Sequence, residues 1–450
     1  MEKIWNKINI AKISSVIILL ILFLIPFQGF ITVWPSSIFG HYTLFRLWKE
    51  FLLVIILLIS IYYLISDLNI RKIIFSNKLS WLIIGFLGIE VLWAIVAYFN
   101  KDVSTKALFF GLLLDCRYFI FFGITWIIAL KNRDLVKFIP KIILVPAMIV
   151  VFFGLAQIFI LPHNFLAHFG YNSKTILPFQ TINSNSKYIR IISTTRGANP
   201  LGAYLIIPIS YLIYVFLRKF KKINGQKIKI AIFTLLSLFV LFFSFSRSAW
   251  IGAFVAGCII VFFSIRNKKT RSRILIFGIA ILIVLSLGLF IERNNHKIQN
   301  LLFHTQANSK IKVSSDQAHL SATLNNLKET IKNPLGSGPG SSGPASFYNK
   351  DSIARIPENY YIQIAQEVGV VGLIIYLAII IKIIVDLSRH KFSNKYSLFL
   401  VASLIGISVT NFFLMAWTDD TLAYLWWGLL GISYASFSYP KSTVLKITKS

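Results

Sequence analysis

The sequence contains little charge and very little acid. Only 14% of its 450 residues are charged, where an ordinary soluble domain has about 25%. The chain has 16 acidic and 46 basic residues, so its formal net charge is +30. At the same time, 56% of the residues are hydrophobic. The positive charge alone would suggest a protein that binds nucleic acid. A soluble protein of that kind cannot bury so much apolar surface, so we exclude nucleic acid as the partner. The composition predicts a protein that crosses a membrane several times.

Cysteines and flexible linkers are scarce as well. The two cysteines, Cys116 and Cys258, both lie in apolar stretches, so they predict neither a disulfide framework nor a metal site. No Gly/Ser-rich or Pro-rich linker separates soluble domains, and no short repeat is visible. The first apolar run is long and no small-residue cleavage site follows it, so we interpret it as a retained span.

Long apolar runs are abundant. A spanning helix needs about 20 mainly apolar residues, and the chain has twelve candidates bounded by charged or turn residues. We therefore predict an all-α polytopic membrane protein of about 12 transmembrane helices, with two long extracytoplasmic loops that contain short helices. The candidate spans lie near residues 13–33, 50–67, 79–98, 107–130, 139–161, 200–217, 229–245, 249–265, 274–291, 366–386, 396–416 and 421–438.

The distribution of Lys and Arg predicts the orientation, because positive residues are retained on the cytoplasmic side. Every basic cluster falls on one side of the membrane when both termini are cytoplasmic. We predict a multi-pass membrane protein with both termini on the cytoplasmic side. The two long loops, at about 162–199 and 292–365, then lie on the extracytoplasmic side and hold most of the polar chemistry.

Arginines mark the end of the first long loop and the next outer turn. Arg190, a hydroxyl cluster at 193–195, Arg196 and a Gly-Asn-Pro turn ending at Pro200 lead into a helix, where guanidinium donors and backbone N–H groups favour an anion. Arg247 lies in a very short turn among Phe and Trp residues, and a charge at that depth is costly unless it is used. The alternative for Arg190 and Arg196 is contact with lipid phosphates at the interface. The alternative for Arg247 is an interface anchor beside the Trp belt.

The second long loop contains a helical pattern and then a turn-rich segment. Apolar residues recur at helical spacing from Leu320 to Ile331, which predicts a helix on the bundle or on the membrane surface. The Gly-, Ser- and Pro-rich residues 335–344 either let backbone approach a ligand or form a connector. They lack the Lys and the spacing of a phosphate-binding Walker loop.

Carboxylates follow at the start of the tenth span. Glu358 is either a helix cap or, if partly desolvated, a general base for a hydroxyl group. Glu367 is a second carboxylate candidate, near the membrane interface. Within the fourth span, Asp115 and Arg117 are expected to pair with other helices. Asp419 and Asp420 are interpreted as solvated loop residues, and the outer loops contain no Asp-x-Asp pair, so we expect no metal or other cofactor.

These segments, in this order, resemble the O-antigen ligase and polymerase family, bacterial membrane enzymes grouped by the Wzy-C/WaaL-type domain. The segment from Arg190 through Asn199 to the helix start at 203–205 matches one family segment, except that Pro200 comes late. The string at 246–252 is similar to the family's Ser-Arg-small-Ala-Trp-apolar-Gly signature. Residues 334–338 are similar to its Pro-Leu-Leu-Gly-x-Gly signature with one residue fewer.

The resemblance also divides the chain into three parts. Residues 1–187 hold the first five helices and the start of the outer loop, 188–386 form the ligase- and polymerase-like core with the second large loop, and 387–450 hold helices 11 and 12.

Two residues depart from the ligase pattern. Asn359, Gly369 and Gly372 keep its spacing, but Glu358 stands where ligases have their catalytic His, and His319 stands where ligase-like members tend to carry Arg. We expect His319 and Glu358 to form an ion-paired substitute for that pair. The resemblance then implies a repeat-unit polymerase. The alternatives are an O-antigen ligase that transfers glycan to lipid A core or another acceptor, and a transporter or flippase of polysaccharide lipids.

What the resemblance implies chemically is a glycosyltransferase of the cytoplasmic (inner) membrane, and the lack of an Asp-x-Asp pair predicts that it is metal-independent. Its donor is an undecaprenyl-diphosphate-linked glycan, its acceptor is a second glycan, and proteins of envelope polysaccharide assembly are expected partners beside the lipid bilayer. The implied roles are Glu358 and His319 as catalytic residues, Arg190, Arg196 and Arg247 as the diphosphate-binding residues, and Asn359, Asn199, Tyr361 and Gly369 as supporting residues.

Overall fold

The described part of the chain is almost entirely helical, with one β-hairpin. The computed structural model describes residues 10–182, 185–218, 224–265, 267–274, 276, 278, 280, 315–349, 354–390 and 395–437. In chain order the elements are α1 (Ile10–Leu24), α2 (Gln28–Phe39), α3 (Tyr42–Arg46), α4 (Trp48–Ser66), α5 (Leu68–Ser76), α6 (Lys78–Asn100), α7 (Thr105–Lys131), α8 (Leu135–Phe159), β1 (Gln180–Ile182), β2 (Asn185–Arg190), α9 (Ala198–Arg218), α10 (Gly225–Phe243), α11 (Arg247–Ser264), α12 (Ser315–Lys332), α13 (Tyr360–Arg389), α14 (Ser397–Thr410) and α15 (Asp420–Phe437).

Nine helices within the described ranges are long and apolar enough to cross a membrane, if α1 and α2 are counted as one. The others are α4, α6, α7, α8, α9, α10, α11 and α13, and each coincides with a predicted span. The prediction of an all-α polytopic membrane protein is confirmed. Helix α14 is shorter, with 14 residues, and α15 has 18. The predicted span at 274–291 falls almost wholly outside the described residues.

Helix α15 lies at the centre of the bundle. It packs along α7, and its side chains from Leu422 to Ala435 are buried on all sides. Trp417, Trp426 and Trp427 form an aromatic cluster with Tyr118 of α7. A helix that is apolar all round must be enclosed by other helices, so α15 is a deeply buried core helix among the described residues.

Glycines allow a second close helix contact. In α11 and α14, a Cβ added at Gly252 or Gly406 would collide with the backbone of the facing helix. Small residues at such points let two helices pack backbone to backbone in a membrane protein. The glycine at the end of the 246–252 signature therefore has a packing role, which holds the turn before α11 in place.

The loops that carry the polar residues meet at one end of the bundle, here called the upper end. Ile191 N donates to Phe243 O at 3.3 Å, and Tyr360 N donates to Asn411 O at 2.9 Å. These bonds join the first long loop to the end of α10, and the start of α13 to the end of α14. Residues far apart in sequence are thereby brought to the same end of the bundle.

Candidate functional site

Arg190 is the last residue of β2, and the hairpin carries it to the turn between α10 and α11. Strands β1 and β2 are antiparallel, with Gln180 opposite Arg190. The Arg190 guanidinium donates through Nε to Ser244 O at 3.0 Å and through Nη2 to Asn199 Oδ1 at 2.6 Å. Asn199 therefore orients Arg190, which agrees with the supporting role expected for it.

A second guanidinium lies close to the first. Burial, and then the positive charge of Arg247, lower the pKa of Arg190 to about 10. Arg190 is thus charged below about pH 10, while two neighbouring cations repel each other. An anion bound between them would relieve that repulsion, which makes the pair a suitable place for a diphosphate.

The turn that presents Arg247 is conformationally unusual. Phe245 has a φ of +51°, a left-handed backbone that a bulky aromatic residue rarely adopts. Its carbonyl and that of Ser244 both accept from Arg190. Such backbone geometry persists only where the surroundings enforce it, and it is common at functional sites.

Arg196 lies in a different environment. Its Nε contacts Asp419 Oδ2 at 2.8 Å, with Arg196 34% exposed and Asp419 only 6% exposed. Asp419 Oδ1 also accepts from the backbone N–H of Thr421 at 3.0 Å. The expectation that Asp419 and Asp420 are solvated was wrong, because both are buried and ion-paired. Arg196 is therefore held by the carboxylate of the residue that directly precedes α15.

The neighbouring hydroxyl cluster is used for structure. Ser193 Oγ donates to Val150 O at 2.7 Å, and Thr194 Oγ1 donates to Pro26 O at 2.9 Å. Thr195 Oγ1 donates to Ile192 O at 2.7 Å. These bonds fix the loop against α8 and the end of α1.

Glu358 and Asn359 lie where α13 begins. Asn359 Oδ1 accepts from the backbone N–H groups of Tyr361 and Ile362 at 2.9 and 3.1 Å, so it is the N-cap of the helix. Glu358 is half-buried and has a φ of +55°. Because Asn359 caps the helix, the Glu358 carboxylate is not needed for that purpose. The left-handed backbone at Glu358 is a second sparsely populated conformation at the upper end.

The turn after α14 connects Glu358 to Arg247. Asn359 Nδ2 donates to Phe412 O at 3.1 Å, and Thr410 Oγ1 donates to Ser248 O at 3.2 Å. Glu358 precedes Asn359 in the sequence, and Arg247 precedes Ser248. Glu358 and Arg247 therefore flank the same turn. Tyr361 supports it too, since its hydroxyl donates to Ser408 O at 2.8 Å. A base candidate and the arginine pair thus share one region, around residues 408–412.

His319 lies in α12, but its side chain is outside the described residues. One turn further along the helix, Thr323 Oγ1 donates to Pro357 O at 3.4 Å. Helix α12 therefore passes beside the residue that precedes Glu358. The expected pairing of His319 with Glu358 stays a prediction.

Helix α12 lies on the bundle through its polar face. Gln366 Nε2 donates to Asn326 Oδ1 at 3.0 Å, whereas Leu324, Leu327 and Ile331 are exposed. The apolar stripe expected from the sequence is present and faces away from α13.

The turn-rich loop after α12 is docked into a break in α13. Ser337 N donates to Gln366 O and Gly338 N donates to Glu367 O, both at 2.8 Å. Those two carbonyls are available because the helix is broken at Gly369, with φ +73° and ψ 179°. The loop therefore replaces missing helix hydrogen bonds. Helix α13 begins at Tyr360, directly after Glu358 and Asn359, and extends beyond both ends of the predicted apolar span at 366–386.

We expect Gly369→Ala to destabilise the protein by about 2–4 kcal/mol, from backbone strain and a collision of the new Cβ with Leu335. A Cβ built at Gly369 would lie 2.7 Å from the Leu335 carbonyl carbon. Thermal unfolding of the purified protein measures the effect. Gly85→Ala is the matched control, because a Cβ there meets nothing within 4 Å. Equal melting temperatures for the two variants would contradict this account of the break.

Three carboxyl groups lie together inside the bundle behind this loop. Glu367 Oε1 accepts from Gly340 N at 2.8 Å and Oε2 accepts from Gln363 Nε2 at 3.2 Å. Asp115 and Glu90 are close enough to Glu367 to interact with it electrostatically, and all three are about 1% exposed. Glu367 therefore holds the docked loop. Glu90 was not predicted, although a single Glu in an apolar span is a signal for such a role.

A second buried charge network was only partly predicted. Arg117 contacts Asp420 and lies 3.6 Å from Glu50, while Lys49 lies 3.1 Å from both Glu50 and Asp420. The expectation that Arg117 pairs with other helices is confirmed. Lys49 and Glu50 belong to α4, so the network joins α4, α7 and α15 at the upper end.

A cavity of about 380 Å³ lies above this network. Its lining includes Gln28, Thr32, Tyr42, Arg46, Gln180 and Arg196. Burial raises the pKa of Tyr42, so its hydroxyl stays neutral near pH 7. In the described ranges, no three His, Cys, Asp or Glu side chains form a group that could hold a metal ion.

The fold and its upper end define a multi-pass α-helical membrane protein with a polar, arginine-containing site at one end. Residues 232–377 match the family model described as O-Antigen ligase. Over 272 residues the chain is 25% identical to an O-antigen polymerase of Salmonella muenchen, an alignment that covers 59% of this chain and 60% of that protein. The chain thus matches less than two thirds of this relative's length. These matches make part of the chain similar to the O-antigen ligase and polymerase family.

Proposed function

We propose that this chain is a polymerase-type glycosyltransferase, which extends a glycan carried on undecaprenyl diphosphate. The reaction takes place on the extracytoplasmic face of the cytoplasmic membrane, with both termini of the chain on the cytoplasmic side. The match of residues 232–377 to the family model and the similarity to a protein named an O-antigen polymerase support this function.

One observation carries the proposal. Arg190 and Arg247 lie close together, and Glu358 flanks the same turn as Arg247. A cationic pair near a carboxylate suits a reaction that releases a diphosphate while a hydroxyl group loses a proton. The presence of Glu358, where ligases have His, favours polymerase over ligase.

The reaction needs no covalent enzyme intermediate in this proposal. The acceptor hydroxyl oxygen attacks C1 of the lipid-linked sugar, the bond from C1 to the diphosphate oxygen breaks, and the hydroxyl proton passes to Glu358. The diphosphate leaves with the bonding electrons, and Arg190 and Arg247 stabilise its growing charge. His319 orients or replaces the base, and Arg196 supports the clamp from the neighbouring cavity.

The experiment uses purified protein in liposomes with a fluorescent undecaprenyl-diphosphate oligosaccharide. A polymerase makes longer chains, which gel electrophoresis resolves, and activity is expected to survive excess chelator. Altered leaflet accessibility without longer product would identify a transporter or flippase instead. Transfer to lipid A core without chain extension would identify a ligase.

We expect Arg247→Gln to lower kcat/KM about 10²-fold, because one fixed donor to the developing charge is lost. Arg247→Lys should recover part of the loss, since it keeps the charge but not the planar donor set. Initial rates of chain extension measure both variants. Arg71→Gln, at an exposed position in α5, is the control and should retain the wild-type rate. Wild-type kinetics for Arg247→Gln would remove this residue from the clamp.

A further inference from the structure

The cavity at the upper end contains polar groups that the proposed chain extension does not use. Gln28 and Thr32 line it and are 7% and 2% exposed. Within the described part of the chain, Gln28 Oε1 and Thr32 Oγ1 have no hydrogen-bond partner. A buried polar atom without a partner costs free energy, so these oxygens indicate a polar ligand.

The charges around the cavity do not balance. The network beside the cavity contains one cation more than it has carboxylates. Its four cations are Arg46, Lys49, Arg117 and Arg196, and its three carboxylates are Glu50, Asp419 and Asp420. Asp420 already contacts Arg117 and Lys49, and Asp419 contacts Arg196. Among the described carboxylates, none forms an ion pair with Arg46. The cavity therefore favours a ligand that carries one negative charge.

The remaining lining groups are those that bind sugars. Tyr42 offers an aromatic ring beside the hydroxyls of Thr32, Thr175 and Thr421 and the amides of Gln28 and Gln180. The volume of about 380 Å³ lies within the usual range of about 300–1,000 Å³ for small-molecule sites.

The cavity also adjoins the proposed diphosphate clamp. Gln180 lines it and is paired with Arg190 across the two strands, and residues so paired lie about 5 Å apart. Gln180 Oε1 accepts from Ala198 N at 3.0 Å, which fixes this wall of the cavity. A group bound here is therefore close to Arg190.

We infer that this cavity is a binding subsite for an acidic sugar residue of the glycan, with Arg46 contacting its carboxylate. The inference rests on the proposed function for its substrate, but it assigns a different set of residues. Gln28, Thr32 and Tyr42 contact the sugar hydroxyls. The enzyme consequently prefers glycans that contain a uronic-acid type unit over neutral ones.

The test measures binding alone, with purified full-length protein and methyl glucuronide, methyl glucoside and inorganic phosphate as probes in calorimetric titrations. We expect methyl glucuronide to bind at least about tenfold more tightly than methyl glucoside, the effect of one charged hydrogen-bond partner. Arg46→Gln should remove this preference. Thr32→Val should weaken both sugars about threefold, whereas Thr43→Val, at an exposed neighbouring position, should change neither.

Equal affinities for the two sugars, no binding of either, or an unchanged preference in Arg46→Gln would overturn the inference. Displacement of the glucuronide by equimolar phosphate would also overturn it, because the site would then recognise phosphate, from a lipid headgroup or from solution. Melting temperatures confirm that the variants fold. If Arg46→Gln does not fold, the affinities of Thr32→Val still test the inference. Chain extension in the same preparation separates the two proposals: extension without glucuronide binding refutes only the subsite, and binding without extension refutes only the polymerase.

Discussion

Glu358→Gln should lower the rate of chain extension by about 10²–10⁴-fold, the usual contribution of a general base. Gln keeps the size and polarity of the side chain but cannot accept the hydroxyl proton. The helix start should be unaffected, because Asn359 caps α13. Extension of a fluorescent lipid-linked oligosaccharide by the purified variant in liposomes measures the effect, and its melting temperature should equal that of the wild type.

Glu329→Gln is the matched control for this variant. Glu329 is also an upper-end glutamate, but it is half exposed and lies 3.8 Å from Arg355 in a surface pair. Such pairs contribute little to stability, and Glu329 has no part in the proposed reaction. Its variant should extend chains at the wild-type rate. A Glu358→Gln protein as active as Glu329→Gln would show that another group accepts the proton, and His319 would be tested next.

Asp420→Asn should be the most destabilising of the substitutions considered, at about 3–5 kcal/mol. The change removes a buried carboxylate that contacts Arg117 and lies 3.1 Å from Lys49. In the described network, Glu50 is then the one carboxylate left for these two cations. The Asn side chain also has one oxygen fewer than Asp420 to accept the hydrogen bond from Gln28 Nε2. Thermal unfolding of the purified protein, followed by tryptophan fluorescence, measures the loss.

Two further variants identify the cause of that loss. Asp134→Asn removes a carboxylate from an exposed pair with Lys137, in which the side chains are 66% and 77% exposed, and should leave the melting temperature unchanged. Adding Lys49→Met to Asp420→Asn should restore part of the stability, because the uncompensated cation is removed as well. If the double variant melts below Asp420→Asn, the ion-pair account is wrong.

The spans could be predicted from the sequence because the bilayer imposes a length and a composition on each one. Helices α4, α6 and α7 coincide with predicted spans to within a few residues. The first turns of α13, from Tyr360 onward, contain Glu367 and two Gln residues. Those polar side chains are tolerated there because the docked loop and α12 supply their partners.

Residues of the candidate site could be predicted where a single short segment contains both the polar residue and the apolar run beside it. Arg190 with Asn199, the turn at Arg247, and the pair Glu358 and Asn359 each stand out as polar groups next to an apolar run. Lys49, Glu50 and Gln28 do not, since charged and amide residues near the end of a span are ordinary interface residues. Their role depends on Asp420, nearly 400 positions further along the chain.

The sequence was enough to predict the all-α membrane architecture, because hydrophobic length and the scarcity of charge are local properties. It also determined the small set of polar residues that are expensive to place near the membrane. The fold brings particular members of this set together: the hairpin pairs Gln180 with Arg190, the break at Gly369 receives a loop, and ion pairs form at the start of α15. Those contacts join distant segments, and their geometry follows from how the helices pack.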